Sequence, residues 1–358
     1  MSVVATFEVR HSQFLDSHGK PTRPLPDFAR DPANLIPLYR AMCLTRAFDA
    51  KAVALQRTGQ LGTYAPSLGQ EAIGVAVGAA MKPEDVLLPT YRESGAQLLR
   101  GVTMTELLRF WSGDEAGSNY AVPREDFPVT ITVATQATYA AGVATAFKLR
   151  KQPRVAVPVC GDGATSKGDF HEALNLAGVW NLPVVFVIAN NQWAISVPLA
   201  RQTAAQTLAQ KAIAAGIEGL QVDGNDIIAV SDAVQKALAK AREGGGPTLI
   251  EALTYRLFDH TTADDARRYR SPEEVSQHWA LEPLARLRNY LVDIGAWGKQ
   301  QEEQLLAECA QQIQAAVDEF MKLPKPAPEA MFDHLYATLP AALQAQRDEA
   351  VKQENHDG

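Results

Sequence analysis

An α/β fold built on a central, mostly parallel sheet flanked by helices, with an N-terminal arm and a helical C-terminal region, is predicted by three observations. Val155-Ala156-Val157-Pro158-Val159-Cys160 and Pro183-Val184-Val185-Phe186-Val187-Ile188 are continuous apolar runs, not alternating ones. Runs of that length, rich in β-branched residues, suit strands covered on both faces, as parallel strands are. Between them Phe170, Ala173, Leu174, Ala177 and Val179–Trp180 recur at helical spacing, which makes the stretch one β-α-β unit. Just past the two runs stand Asp162 and Asn190–Asn191. In a right-handed parallel crossover both strand ends meet on one edge of the sheet. That edge gains a carboxylate, a carboxamide and a turn flanked by Gly161 and Gly163, where the backbone can approach a ligand closely. Such hard oxygen ligands suit a Mg²⁺ ion holding a diphosphate.

The other elements follow in chain order. Residues 1–33 carry Pro21, Pro24 and Pro26 among polar groups and read as an extended arm. Asn34–Arg57 has an apolar face (Leu35, Leu38, Met42, Phe48, Val53) and is expected to be helical. Gly59–Gly69 is turn-rich, and Gln70–Met81 is a helix whose Gly74 and Gly78 permit close packing. Asp85–Pro89 is a short strand leading to Tyr91-Arg92-Glu93, and Ala134–Lys148 is a helix of small residues. Beyond the central unit come a helix over Thr203–Ala214, a strand at Leu220–Val222, a helix at Ile227–Arg242 and a strand at Pro247–Tyr255. Leu284–Met321 is mainly helical, and Pro324, Pro326 and Pro328 mark a linker to a short C-terminal segment.

Composition narrows the class. A chain of 358 residues can bury a large core. Net charge −7 without a basic stripe excludes a general nucleic-acid surface. Three cysteines, odd in number and far apart, and seven histidines without clustering give no zinc-type spacing and point to a reducing, cytoplasmic setting. No run of about 18 apolar residues and no signal-type N-terminus is found, so no membrane association is expected.

Gly161-Asp162-Gly163 followed by Asn190-Asn191 is similar to the thiamine diphosphate motif GDG…NN. The longer string GDGATSKGDFHEALNLAG…NNQWAIS resembles the α subunit of 2-oxo acid dehydrogenase E1 components, of the pyruvate and branched-chain types. QRTGQLGTYAPSLGQEA at 56–72, LPTYRE at 88–93, QVDGND at 221–226 and HTTADDARRYR at 260–270 extend the likeness over nearly the whole chain. The resemblance implies a thiamine diphosphate-binding fold, with an arm at 1–33, a diphosphate-binding α/β domain at 34–283 and a helical region at 284–358.

Site residues carry over position by position. Asp162 and Asn191 match the family's Mg²⁺ ligands, with Trp193 adding its backbone carbonyl. Gly161 shapes the turn, and the backbone amides of Gly163 and Ala164 face the diphosphate at a helix start. Tyr91 and Arg92 match a pair that reaches the diphosphate from a separate loop, where a guanidinium forks onto phosphate. Residues 259–270 are too polar for a core and read as a mobile loop that closes over the cofactor. Within the same motif Arg256 lies near phosphate and His260, the catalytic candidate, lies beside the reacting centre. Val133 touches the aminopyrimidine region through its backbone. Branched-chain members bind a monovalent cation nearby, and Thr130, Thr132, Thr135 and Gln136 are the counterparts that would hold K⁺. Two positions depart from the pattern: Ala189 replaces a phosphate-contacting arginine of some relatives, and Asp259 replaces a proline or histidine.

The implied activity is oxidative decarboxylation of a small 2-oxo acid, with the thiazolium ring as electron sink, followed by reductive acylation of the lipoyl group on an E2 dihydrolipoyl acyltransferase. The glutamate that activates the aminopyrimidine lies on a β chain in this family, so an E1 β subunit and an α2β2 assembly are implied. Pyruvate is the favoured substrate. The alternatives are a branched-chain enzyme acting on 3-methyl-2-oxobutanoate, an acetoin dehydrogenase α subunit and, from a different class, an inactive scaffold for E2.

Overall fold

A computed structural model describes residues 1–333 and 335–357. The chain forms two compact units, Met1–Val317 and Asp318–Gly358. The first is built on eight strands: β1 (Arg10–Ser12), β2 (Val86–Leu88), β3 (Ala156–Gly161), β4 (Val185–Asn190), β5 (Trp193–Ala194), β6 (Val197–Pro198), β7 (Glu218–Asp223) and β8 (Thr248–Leu253). Six of them make one sheet in the order β1-β7-β8-β4-β3-β2, and every pairing in it is parallel. β5 and β6 form a separate antiparallel hairpin.

The apolar runs form strands because both faces are covered. Val86, Leu88, Ala156, Cys160, Phe186, Ile188 and Leu249 join one core cluster with the helices Thr135–Leu149 and Gly168–Val179. The alternate residues Leu87, Val157, Val159, Val187 and Ile250 point to the opposite face and are equally buried. There the helix Ile227–Arg242 packs on β4, β7, β8 and the helix Glu71–Ala80. Gly78 is required for helix packing, since a Cβ there would meet the Ala96 Cα at 2.8 Å. Gly74 is not, because its nearest neighbour would be an ordinary 3.5 Å away.

Four expectations need correction. The arm at 1–33 is not merely extended: Arg10–Ser12 joins the sheet edge beside β7, and Asp226 accepts hydrogen bonds from the Phe14 and Leu15 amides. The helix expected over Thr203–Ala214 is reduced to two short pieces, Leu208–Gln210 and Lys211–Ala214, and a separate short turn, Leu199–Gln202, precedes it. Thr203 turns extended there, and Thr207 caps a fresh start through a box with Gln210. Residues 284–317 fall within the first compact unit, because Leu284, Leu287 and Leu291 of the helix Pro283–Asp293 bury against its core. The loop 259–270 is tied down by hydrogen bonds and includes a short 3₁₀ turn at Ala266–Arg268. Among the described residues no helix is long and apolar enough to cross a membrane.

What this topology places matters most. The carboxyl ends of β2, β3, β4 and β8 share one edge of the sheet, and each is followed directly by a candidate site segment. Gly161 lies opposite Ala189 in the β3–β4 register, so Asp162 and Asn191 emerge side by side. Phe170 seats the helix Gly168–Val179 on this unit, fully buried and edge-on to Phe186 with ring centroids 6.5 Å apart. Phe170→Ala is expected to cost about 3–5 kcal/mol, read as a lowered urea midpoint; an unchanged midpoint would contradict this packing.

Candidate functional site

One cavity of about 550 Å³ opens at that edge. Its walls contain Tyr91, Arg92, Thr130, Thr132, Val133, Gln136, Gly161, Asp162, Gly163, Ala164, Asn191, Trp193 and His260. Nearly all the residues selected from sequence therefore meet in one place. Two do not line it. Thr135 starts the helix Thr135–Leu149, and Arg256 lies behind the wall, fully buried.

The charges on the two sides are separated. Asp162 is 1% exposed, and among the described residues its carboxyl has no ion pair. Its Oδ2 accepts from Gln202 Nε2 at 2.6 Å. Burial raises its pKa above the usual carboxylate range, against the hydrogen bond from Gln202 and the more distant Arg256 and Arg92. Opposite stand Arg92 and Arg256, neither paired with a carboxylate among the described residues. Arg92 donates through Nε to the Pro66 carbonyl at 3.2 Å and through Nη2 to the His260 carbonyl. Arg256 donates through Nη2 to the Ile195 carbonyl and the Tyr269 hydroxyl, both at 2.8 Å, and its Nε has no partner. Burial, reinforced by Arg92 and Arg270, pulls its pKa down to about 10.

A buried carboxylate without a cation is costly to keep, and so is the fully buried Arg256 guanidinium without an anion; the half-buried Arg92 adds a third unpaired charge. A ligand that carries both signs relieves both. A metal diphosphate is such a ligand, so the donor set fits one. Asn191 Nδ2 donates to Gln70 Oε1 at 3.1 Å, which commits its Oδ1 as the oxygen available to a cation; that oxygen also accepts from the Trp193 amide at 3.2 Å. The Trp193 carbonyl accepts weakly from Arg256 Nη1 at 3.4 Å, and its indole is mostly buried and donates to Glu274. Gly163 is needed for fit rather than for its dihedral freedom: a Cβ would meet the Ala194 Cβ of the hairpin at 2.7 Å. At Gly161 a Cβ would meet nothing within 4 Å. Ile195, a β-branched residue at φ 55, holds a strained backbone that turns its carbonyl to Arg256.

His260 is held between the two guanidiniums, its Nδ1 3.2 Å from Arg92 Nη2 and 3.4 Å from Arg256 Nη1. Partial burial, then Arg92 and Arg256, lower its pKa to about 4, so the imidazole is neutral at physiological pH. Its amide donates to Asp264 Oδ2 at 2.9 Å, and Asp264 also accepts from the Tyr269 hydroxyl. Of the departures, Asp259 accepts from the Ala266 amide at 3.0 Å and shapes the loop, while Ala189 is simply buried in β4. Gln136 Nε2 donates to the Thr130 carbonyl at 2.8 Å and leaves its buried Oε1 without a partner.

Several residues here were missed. Gln70 and Glu93 lie inside quoted motifs: Gln70 orients Asn191, and Glu93 accepts from the Thr90 amide at 2.6 Å to hold the Tyr91–Arg92 turn. Gln202 and Ile195 carry no pattern that points to Asp162 or Arg256. Only the three-dimensional course of the β5–β6 hairpin brings them there.

A family model described as dehydrogenase E1 component matches residues 39–329. Over 312 residues the chain is 44% identical to the 3-methyl-2-oxobutanoate dehydrogenase subunit alpha of Mycobacterium tuberculosis (strain ATCC 25618 / H37Rv), spanning 87% of this chain and 85% of the relative. It is 40% identical over 323 residues to the pyruvate dehydrogenase E1 component subunit alpha of Acholeplasma laidlawii, spanning 89% and 93%. The corresponding Staphylococcus aureus (strain COL) subunit is 39% identical over 337 residues, spanning 93% and 90%.

The histidine supplies the test. Between pH 6.5, the ordinary histidine value, and about 4, the unfolded chain takes up a proton that the folded site refuses. This group therefore removes stability as pH falls through that window. Replacing Arg92 with Gln removes one repelling charge, so the His260 pKa should move up toward 6.5 in an imidazole NMR titration. A pKa that stays put would remove Arg92 as a cause.

Proposed function

The chain belongs to the dehydrogenase E1 component family, and from that premise we propose that it is the α subunit of a thiamine diphosphate-dependent 2-oxo acid dehydrogenase. Together with a β subunit it decarboxylates a 2-oxo acid oxidatively and passes the acyl group to the lipoyl group of an E2 acyltransferase. The observation that carries this reading is the cavity itself, lined by the unpaired buried carboxylate of Asp162 and the unpaired guanidinium of Arg92, with that of Arg256 buried behind it. Thiamine diphosphate, when bound, supplies the electron sink that decarboxylation requires.

The chain's own residues then divide the work. Asp162 Oδ, Asn191 Oδ1 and the Trp193 carbonyl would hold Mg²⁺, which takes few protein ligands when it binds phosphate. Tyr91, Arg92 and the amides of Gly163 and Ala164 donate to the diphosphate. Arg256, fully buried beside His260, supplies positive charge near the phosphate and orients that imidazole. The Val133 backbone lies against the aminopyrimidine. His260, neutral between two arginines, serves the reacting centre as a hydrogen-bonding group without adding a third positive charge. The orphaned Gln136 Oε1, close to Thr130, is an acceptor suited to a monovalent cation such as K⁺, with Thr132 lining the same cavity and the Thr135 amide donating to the Thr132 carbonyl at 3.3 Å.

The site is half a site. Asp162 is the only carboxylate lining the cavity among the described residues, so the acidic group that activates the aminopyrimidine comes from elsewhere. Ile131, Val133 and Ile195 on its rim are 58%, 48% and 55% exposed, an apolar border that a partner chain would cover. An E1 β subunit in an α2β2 assembly meets both needs. Retention of Asp162, Asn191, Arg256 and His260 in working arrangement argues against an inactive scaffold.

Pyruvate is the proposed substrate, in keeping with the pyruvate dehydrogenase relatives. A second reading, 3-methyl-2-oxobutanoate, is favoured by the relative at 44% identity and by the aliphatic rim. The two substrates differ by groups worth about 1–3 kcal/mol per methylene in a pocket. The purified α–β pair should reduce an electron-accepting dye with pyruvate at the higher kcat/KM. A large preference for 3-methyl-2-oxobutanoate would replace the substrate assignment, and no turnover with any 2-oxo acid or with acetoin would favour the scaffold.

A further inference from the structure

The turn that carries Asn191 is braced from below by a residue outside the site described so far. Glu251 stands in the middle of β8, across from Ile188 of β4 and Gln221 of β7, and is 1% exposed. Three N–H donors converge on it: Asn190 Nδ2 reaches Oε1 at 2.7 Å, while the Ala209 amide and Gln221 Nε2 reach Oε2 at 3.0 and 3.1 Å. Among the described residues it has no ion pair. The inside of a parallel sheet ordinarily takes Val or Ile, and an unpaired carboxylate there is costly. Such a break with the local pattern calls for a compensating role.

What Glu251 sets is a direction. An asparagine amide can be turned end for end, and its partners decide which end is the oxygen. The carboxylate accepts only, so Asn190 must offer it Nδ2. Asn190 Oδ1 then faces the other way, where it accepts from Gln192 Nε2 at 2.8 Å and from the Gln192 amide at 3.3 Å. Gln192 sits at φ 73, a conformation a side-chain-bearing residue holds only when its surroundings impose it. The Asn190 carbonyl is fixed as well, by the Thr254 amide at 2.9 Å. Asn191 and Trp193 flank Gln192, which is held in turn by Asn190.

We propose that Glu251 is a positioning residue: by fixing the amide orientation of Asn190 it holds the 190–193 turn so that Asn191 Oδ1 and the Trp193 carbonyl can bind a divalent cation. The inference rests on the functional reading above, which places a metal diphosphate in the cavity.

Glu251→Gln keeps the shape; because the Ala209 amide and Gln221 Nε2 both donate on the Oε2 side, the new amide keeps its oxygen there and sets its NH₂ against the NH₂ of Asn190. Asn190 must then turn over, and its Nδ2 faces the two donors of Gln192. Adding Asn190→Asp reverses the pair: the new amide donates to the new carboxylate, whose second oxygen accepts from Gln192 again. The experiment titrates Mg²⁺ into the α–β assembly at fixed thiamine diphosphate and reads coenzyme uptake by calorimetry, with thermal unfolding measured alongside. Glu251→Gln should raise the half-saturating Mg²⁺ concentration about 10- to 100-fold, and the double variant should return it to within roughly threefold of wild type. A single variant that binds like wild type overturns the proposal, as does a double variant no better than the single. If the single variant fails to assemble, the double decides alone: a recovered Mg²⁺ requirement supports the role and no recovery ends it. Absence of Mg²⁺-linked uptake in the wild-type assembly would instead remove the functional reading itself.

Discussion

Charge held apart at one edge of a parallel sheet is the constraint on which this site depends. The Asp162 carboxylate is buried without a cation, and a few residues away in space Arg92 and Arg256 lack an anion. Ions removed from water cost roughly several kcal/mol each unless they are paired. Among the described residues the two signs form no ion pair with each other, although Asp162 and Arg92 line the same cavity. A ligand that carries metal and phosphate together neutralises both walls at once, whereas one carrying a single sign leaves half the cost standing.

The fold makes that separation possible. Four parallel strands end together, and each end delivers a different group: the Tyr91–Arg92 turn after β2, Asp162 after β3, Asn191 after β4 and Arg256 after β8. A cleft beyond the carboxyl ends of such strands is the general ligand position of open α/β sheets. Both faces of the sheet are packed with apolar side chains, so the strand ends have little freedom to shift. Polar groups, buried or half-buried, then refine the placement: Gln70 for Asn191, Gln202 for Asp162, Glu93 for the arginine turn and Asp264 with Tyr269 for the His260 segment. Electrostatics extend to His260, whose neutral state follows from burial beside two guanidiniums.

Much of this was legible in the sequence, and for identifiable reasons. The two apolar runs and the helical spacing between them report burial on both faces, so the β-α-β unit and the meeting of Asp162 with Asn191 follow directly. The helix Ile227–Arg242 has the limits its pattern predicts. Less was visible where placement depends on contacts distant in the chain. Nothing local marks the strand at Arg10–Ser12, whose partner is β7 more than two hundred residues on. Polarity in 259–270 reads as a loop, but does not show the bonds that its side chains make with one another or its short 3₁₀ turn. For Arg256, placed near phosphate by its motif, nothing local marks its partners, the Ile195 carbonyl and the Tyr269 hydroxyl. Glu251 was hidden inside an apolar strand, where its partners come from β4, β7 and the Leu208–Gln210 turn.

The most direct test of the charge-separation account is calorimetry of thiamine diphosphate binding to the α–β assembly, with and without Mg²⁺, for wild type and for Asp162→Ala. The account predicts saturable uptake by wild type only when Mg²⁺ is present, and none by the folded variant. Equal uptake by both proteins, or wild-type uptake indifferent to the metal, would contradict it.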